Sequence, residues 1–162
     1  MSISLADVAH GTDAVLPAAA APAGDYGEAD DTAVSVRQDS AFPDIELLLI
    51  GWLQPQFPAA RFATILPADI TETTVHVTRI SGGNRSIRVD RPVVDIDVYA
   101  LDHATAVSVA LGIQALVKIA RNVVTAYGVI QSAATVNGPR WLPEPNPALF
   151  RRSATYQLYV HA

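Results

Sequence analysis

The residues best placed to do chemistry stand in "DRPVVDIDV", residues 90–98. Asp95 and Asp97 are two apart, so on a strand both carboxylates project from one face. Such a pair is what a metal-dependent nuclease uses to hold a divalent cation, usually with a lysine close by on the same strand. Here Tyr99 follows on that face, the nearest other acid is Asp90 across a proline, and the only lysine of the chain is the distant Lys118. The competing reading is a charged strand surface turned to solvent or to another subunit, and the residues favour it.

Other chemistries have less support. His10, His76, His103 and His161 are scattered, without metal-ligand spacing. No serine sits in a G-x-S-x-G context. "SGGNRS", residues 81–86, has two glycines between Arg79 and Arg85 but lacks the phosphate-loop pattern. Arg79, Arg85, Arg88 and Arg91 do cluster along one predicted hairpin. Arginine suits bidentate ion pairs at protein interfaces, and an acidic partner is present in the same chain. A solvated loop and contact with DNA are the alternatives.

Composition narrows the class. The chain has 162 residues, half of them hydrophobic, which is enough for one domain with a real core. The absence of cysteine excludes disulfides, thiolate metal sites and thiol nucleophiles. No apolar run approaches the ~20 residues of a membrane-spanning helix. The first residues, "MSISLADVAHGTD", carry acids and no base, which argues against a signal peptide. The expectation is a soluble protein of a reducing cytoplasm, with no cofactor and no membrane partner.

The charge divides the chain. Residues 1–41 hold seven acids, one base and eleven alanines, whereas residues 42–162 hold ten bases and nine acids. The net −5 therefore belongs to the N-terminal segment. That segment lacks the apolar surface to offset its own ordering entropy. It is either a tail or an extended arm that orders on a neighbouring subunit, and "TAVSVR", residues 32–37, alternates well enough to pair with a partner's strand. The folded part carries no basic footprint of a nucleic-acid-binding domain.

In the remainder, "FPDIELLLIGWLQPQF" predicts a first helix, with Ile45, Leu48, Leu49, Trp52 and Leu53 on one face and an end at Pro55. A short extended piece, "ARFATILP", follows. "TTVHVTRI" and "RPVVDIDVYA" predict a hairpin turning through "SGGNRS", with Val94, Ile96 and Val98 on one face of its second strand. "DHATAVSVALGIQALVKIARNVV" predicts a long helix capped by Asp102. Its apolar half runs from Ala106 to Val123, while Val107 and Leu111 lie within its polar half as incidental aliphatics or a contact patch. "YGVIQSAATV" and "SATYQLYVHA" predict the last two strands. The fold class is α+β, a mostly antiparallel sheet of about four to five strands with two helices packed on one face, preceded by an extended N-terminal arm. The domain division is 1–41 and 42–162.

Between the last two strands lies "NGPRWLPEPNPALF", residues 137–150, with four prolines. Prolines lack the donor a ladder needs, so the stretch predicts a stiff connection outside the sheet. Either Trp141 and Leu142 fold over the edge of the core, or the loop presents Arg140, Trp141 and Leu142 to a neighbour at little ordering cost.

The set "IRVDRPVVDIDVYA", "VNGPRWLPEPNP" and "RRSATYQLYV", with "DIELLLIGWL" and "LPADI" before it, resembles the tail terminator proteins of long non-contractile-tailed bacteriophages. The resemblance covers about residues 42–161 and leaves the acidic arm outside it. It implies a structural, non-enzymatic virion protein that forms a homo-hexameric ring on the tail tube protein. Such a ring stops polymerisation and joins the tail to a neck or connector protein. It further implies assembly in the host cytoplasm, residence at the head-proximal end of the tail, and genomic DNA passing through the lumen without specific binding. On this reading the interface residues are Arg79, Arg85, Arg88, Arg91, Val107, Leu111, Arg140, Trp141 and Leu142. The alternatives are another head–tail joining protein of similar fold, or a metal nuclease built on Asp95 and Asp97.

Overall fold

The computed structural model describes residues 42–84 and 88–161. The expectations for the N-terminal arm and for Arg85 therefore lie outside the described residues. Two helices and six strands follow in the order α1 (Ile45–Leu53), β1 (Arg61–Ala63), β2 (Thr74–Asn84), β3 (Val89–Ala100), α2 (His103–Ile119), β4 (Arg121–Thr125), β5 (Gly128–Leu142) and β6 (Phe150–His161). The strands form one sheet in the order β1-β2-β3-β6-β5-β4. The β1–β2 pair is parallel and the other pairs are antiparallel, so the sheet is mixed and has six strands, where four to five were expected.

Capping fixes where both helices begin. The Asp44 carboxylate accepts from the amides of Glu46 (2.9 Å) and Leu47 (3.2 Å), satisfying donors that have no partner within the helix. Pro55 stands in the short 3-10 turn that follows α1. The Asp102 carboxylate accepts from Thr105 N at 2.8 Å. Hydrogen bonding by Thr105, from its side chain first and then from this amide, holds the Asp102 carboxyl below its ordinary range. The cap is consequently lost only as pH falls through that lowered value.

One apolar core joins both helices to a single face of the sheet. Ile45, Leu48, Leu49 and Leu53 of α1 and Ala106, Ala110, Ile113 and Val117 of α2 are buried. All of these but Ala106 join one cluster with Val75 and Val77 of β2, Val94, Ile96 and Val98 of β3, and Ala154, Tyr156, Leu158 and Val160 of β6. The period-two alternation predicted for these strands is what the register produces, since Val75 faces Val98, Val77 faces Ile96 and Val94 faces Tyr156. Helix α1 also covers part of the outer edge of β2, where Glu46 Oε1 accepts from Arg79 N at 2.8 Å.

Three boundaries differ from the sequence reading. First, β2 continues through Ser81, Gly82, Gly83 and Asn84, which pair with Val93, Pro92, Arg91 and Asp90. The predicted turn is therefore strand as far as Asn84. A register shift between Arg79 and Ser81 and the positive φ of Gly82 (102°) admit it, because a Cβ there would lie 2.2 Å from Arg91 O.

Second, α2 stops at Ile119, and Arg121–Thr125 form the unexpected strand β4. Ala120 is extended (ψ 114°) and Asn122 has φ 50°, a conformation asparagine tolerates better than most residues. Val123 was placed on the apolar half of the helix. It packs against the same core from β4, opposite Ile130. The turn from β4 to β5 is closed by Thr125, whose hydroxyl donates to Gly128 O and accepts from Tyr127 N.

Third, β5 runs on through "NGPRWL" to Leu142, and Arg140, Trp141 and Leu142 pair with Ser153, Arg152 and Arg151. The expectation that this stretch leaves the ladder is corrected. Pro139 is accommodated because it falls in a register shift between Asn137 and Arg140, where no ladder donor is required. The connection to β6 shrinks to residues 143–149.

Tyr156 is the largest fully buried side chain, and its hydroxyl has no hydrogen-bond partner among the described residues. Burial pushes its pKa up to about 12. The phenol of the unfolded chain ionises near pH ~10. Stability is therefore intact below pH ~10 and falls as pH rises toward 12. Tyr156→Phe should be neutral or stabilising by up to about 1 kcal/mol at pH 7, since it removes an unpaired buried hydroxyl. It should also flatten the alkaline decline, as urea titrations from pH 8 to pH 12 would record.

Candidate assembly surface

The sheet face away from the helices holds the two carboxylates. Asp97 is buried and pairs with Arg151 at 2.8 Å, and the Arg151 guanidinium lies 5.4 Å from the centre of the Tyr99 ring. Burial pulls the Arg151 pKa down, but the hydrogen bond and charge of Asp97 outweigh it and raise the value overall. Burial, reinforced by Asp97, raises the pKa of Tyr99. Asp95 accepts a 2.6 Å hydrogen bond from the Thr155 hydroxyl. One carboxylate is thus neutralised by a guanidinium and the other is engaged by a hydroxyl. No group of three or more metal-ligating side chains that could hold an ion occurs among the described residues. Both aspartates serve the β3–β6 pairing.

The arginines of the hairpin divide. Arg79 pairs with the buried Asp90 at 3.0 Å. Arg91 donates to Gln157 Oε1 at 3.4 Å and lies 5.1 Å from the centre of the Tyr159 ring. These two secure the β2–β3–β6 arrangement within the chain, and Arg88 is exposed.

A second group does come together. Helix α2 crosses the outer part of β5, where Val107, Ala110, Leu111, Pro139 and Arg152 line a small cleft. Arg152 Nη2 donates to His103 Nε2 at 2.6 Å, and the His103 ring meets Phe150 edge-on at 5.8 Å. Trp141 is opposite Arg152 in register and so shares its side of the sheet beside the cleft. Trp141 is 57% exposed and Leu111 51%. Arg140 is exposed on the neighbouring position, while Leu142 is half-buried opposite Arg151.

Residues singled out from two distant stretches, Val107 and Leu111 on the helix and Trp141 on the strand, thus stand on one surface, whereas Arg140, opposite Ser153, turns to the other face of the sheet. Sequence reasoning missed Pro139, Arg152 and His103 as its other members. The one available cue was the Arg-Arg pair at 151–152, whose members alternate across the sheet: Arg151 to Asp97, Arg152 to the cleft.

An exposed tryptophan contributes little to the fold. Trp141→Ala is expected to change the unfolding free energy by no more than about 0.5–1 kcal/mol. It should selectively weaken self-association, which paired thermal melts and sedimentation runs would separate. A large loss of monomer stability would instead assign Trp141 to the core.

No protein-family model matches the chain, and no curated protein matches it. Among solved structures it is similar to a chain of the virion of a native gene transfer agent particle, with a TM-score of 0.50 and 13% identity. The match covers 73% of this chain and 85% of that one. The likeness is one of fold. No helix among the described residues is long and apolar enough to cross a membrane.

Proposed function

We propose that this chain is a structural protein of a phage-like virion, a ring subunit that caps the tail tube, stops its polymerisation and joins the tail to the head. The observation that carries this reading is the fold shared with a chain of a gene transfer agent virion. The sequential set of motifs over residues 42–161 directs it to tail termination in particular. The chemistry supports it from the other side, because Asp95 and Asp97 are engaged by Thr155 and Arg151 within the sheet. What the surface offers is contact: an exposed aromatic, aliphatics and arginines on rigid elements, the composition of a protein interface.

In this role the protein acts by shape, without turnover. Its partners are further copies of itself, the tube protein below and a neck or connector protein above, with DNA passing through the ring. Native mass measurement of the full chain tests the assembly. The reading expects a closed ring at six times the 17.2 kDa of one chain. A species that stays monomeric at every concentration contradicts it.

A further inference from the structure

We propose that the cleft between α2 and the outer part of β5 receives residues 30–36 of a second copy of this chain, the end of its acidic N-terminal segment. The inference rests on the ring reading above and names one of its contacts.

The cleft has a volume of ≈ 80 Å³, suited to a small aliphatic side chain. Its walls are Val107, Ala110, Leu111 and Pro139, and Arg152 stands at its edge. An apolar slot with a cationic rim calls for an aliphatic residue flanked by carboxylates. "DDTAVSV", residues 30–36, has that composition: Asp30 and Asp31 precede Val34 and Val36, which lie on one side of an extended chain. The charge balance agrees, since residues 1–41 carry seven acids and one base.

Reach identifies the occupant as another copy. The described chain begins at Phe42, and Pro43 is seated against Gly128 at the start of β5, where a Cβ would be 2.9 Å from Pro43 Cγ. The cleft is at Pro139, eleven residues along the same strand. Register shifts take up three of these residues, because Val129 faces His161 and Arg140 faces Ser153, so at ~3.3 Å per residue the span is roughly 26 Å. Val36 is six residues before Phe42, so even full extension carries it only about 20 Å. It does not reach the cleft of its own chain.

The manner of docking follows from the strand. Pro139 has no amide hydrogen, and register shifts stand on both sides of Asn137, so this part of β5 does not offer a regular edge for strand addition. The contact is made by side chains: a valine inserted between Leu111 and Pro139, and a carboxylate paired with Arg152.

The lack of native cysteine makes the test direct. Full-length V36C and L111C chains are mixed and oxidised, and the mixed disulfide dimer is quantified by mass. V36C with I65C is the control, because Ile65 is 82% exposed and follows β1 at the opposite edge of the sheet. The proposal expects the V36C–L111C product to exceed the control about ten-fold through effective concentration. In molar salt the excess should shrink, since exposed charge pairs are screened. Equal yields of the two products overturn the inference. If rings nevertheless form by native mass, the ring reading survives and this contact alone is wrong; if the chains also remain monomeric, both fail.

Discussion

Asp97→Ala is expected to lower the unfolding free energy by about 3 kcal/mol, the range for removing one partner of a largely buried ion pair. Asp97 retains 10% of its side-chain exposure, and Arg151 retains 28%. The cost arises less from a lost attraction than from the guanidinium left behind over Tyr99, with its Nε already lacking a partner. The double variant Asp97→Ala, Arg151→Ala should therefore recover part of the loss, because it removes the stranded charge as well. Urea titration of the wild type, both single variants and the double variant gives the coupling. Additive effects would mean that the pair contributes nothing. The same series bears on function: a catalytic Asp97 would lose activity with little loss of stability, which is the opposite pattern.

Gly128→Ala should cost a similar amount, about 3 kcal/mol, by combining backbone strain with overpacking. Gly128 has φ 145°, which side-chain-bearing residues rarely adopt. A Cβ at this position would lie 2.9 Å from Pro43 Cγ and 3.1 Å from Leu48 Cδ1. Relief requires moving the start of α1 away from the β4–β5 turn, and with it Leu48, which is fully buried. Gly83→Ala is the matched control, since nothing lies within 4 Å of a Cβ there. It should change stability by less than about 1 kcal/mol. Comparable losses at the two glycines would contradict the packing described for α1.

The sequence made the core legible where alternation and capping agreed. Val94, Ile96 and Val98 on one face of β3, and Ala154 through Val160 on β6, follow from period two alone. Asp44 and Asp102 marked both helix starts through their side-chain chemistry. Legibility ended where tertiary pairing overrode local preference. Helical periodicity continued formally to Val123, but the chain leaves the helix at Ala120 because pairing with β5 offers Val123 a place opposite Ile130. Pro139 argued for a loop, and only the register shift around it allows β5 to pass through.

The candidate surface was half legible for a related reason. Hydrophobic residues out of phase, Val107 and Leu111, were visible on the helix, and Trp141 on the strand. That α2 crosses β5 at Pro139 is a property of the assembled sheet. Nothing local to Arg152 foretells that it turns to His103 while Arg151 turns to Asp97. Of the four hairpin arginines, Arg79 and Arg91 are engaged within the chain by Asp90, Gln157 and Tyr159.

The central claim is that this chain ends tail growth, and tail length in particles assembled without it tests that claim most directly. Electron micrographs of a deletion strain should show tails of irregular, excessive length that fail to join filled heads. Tails of normal length would contradict termination, and if they were also detached from heads the protein would belong to the neck.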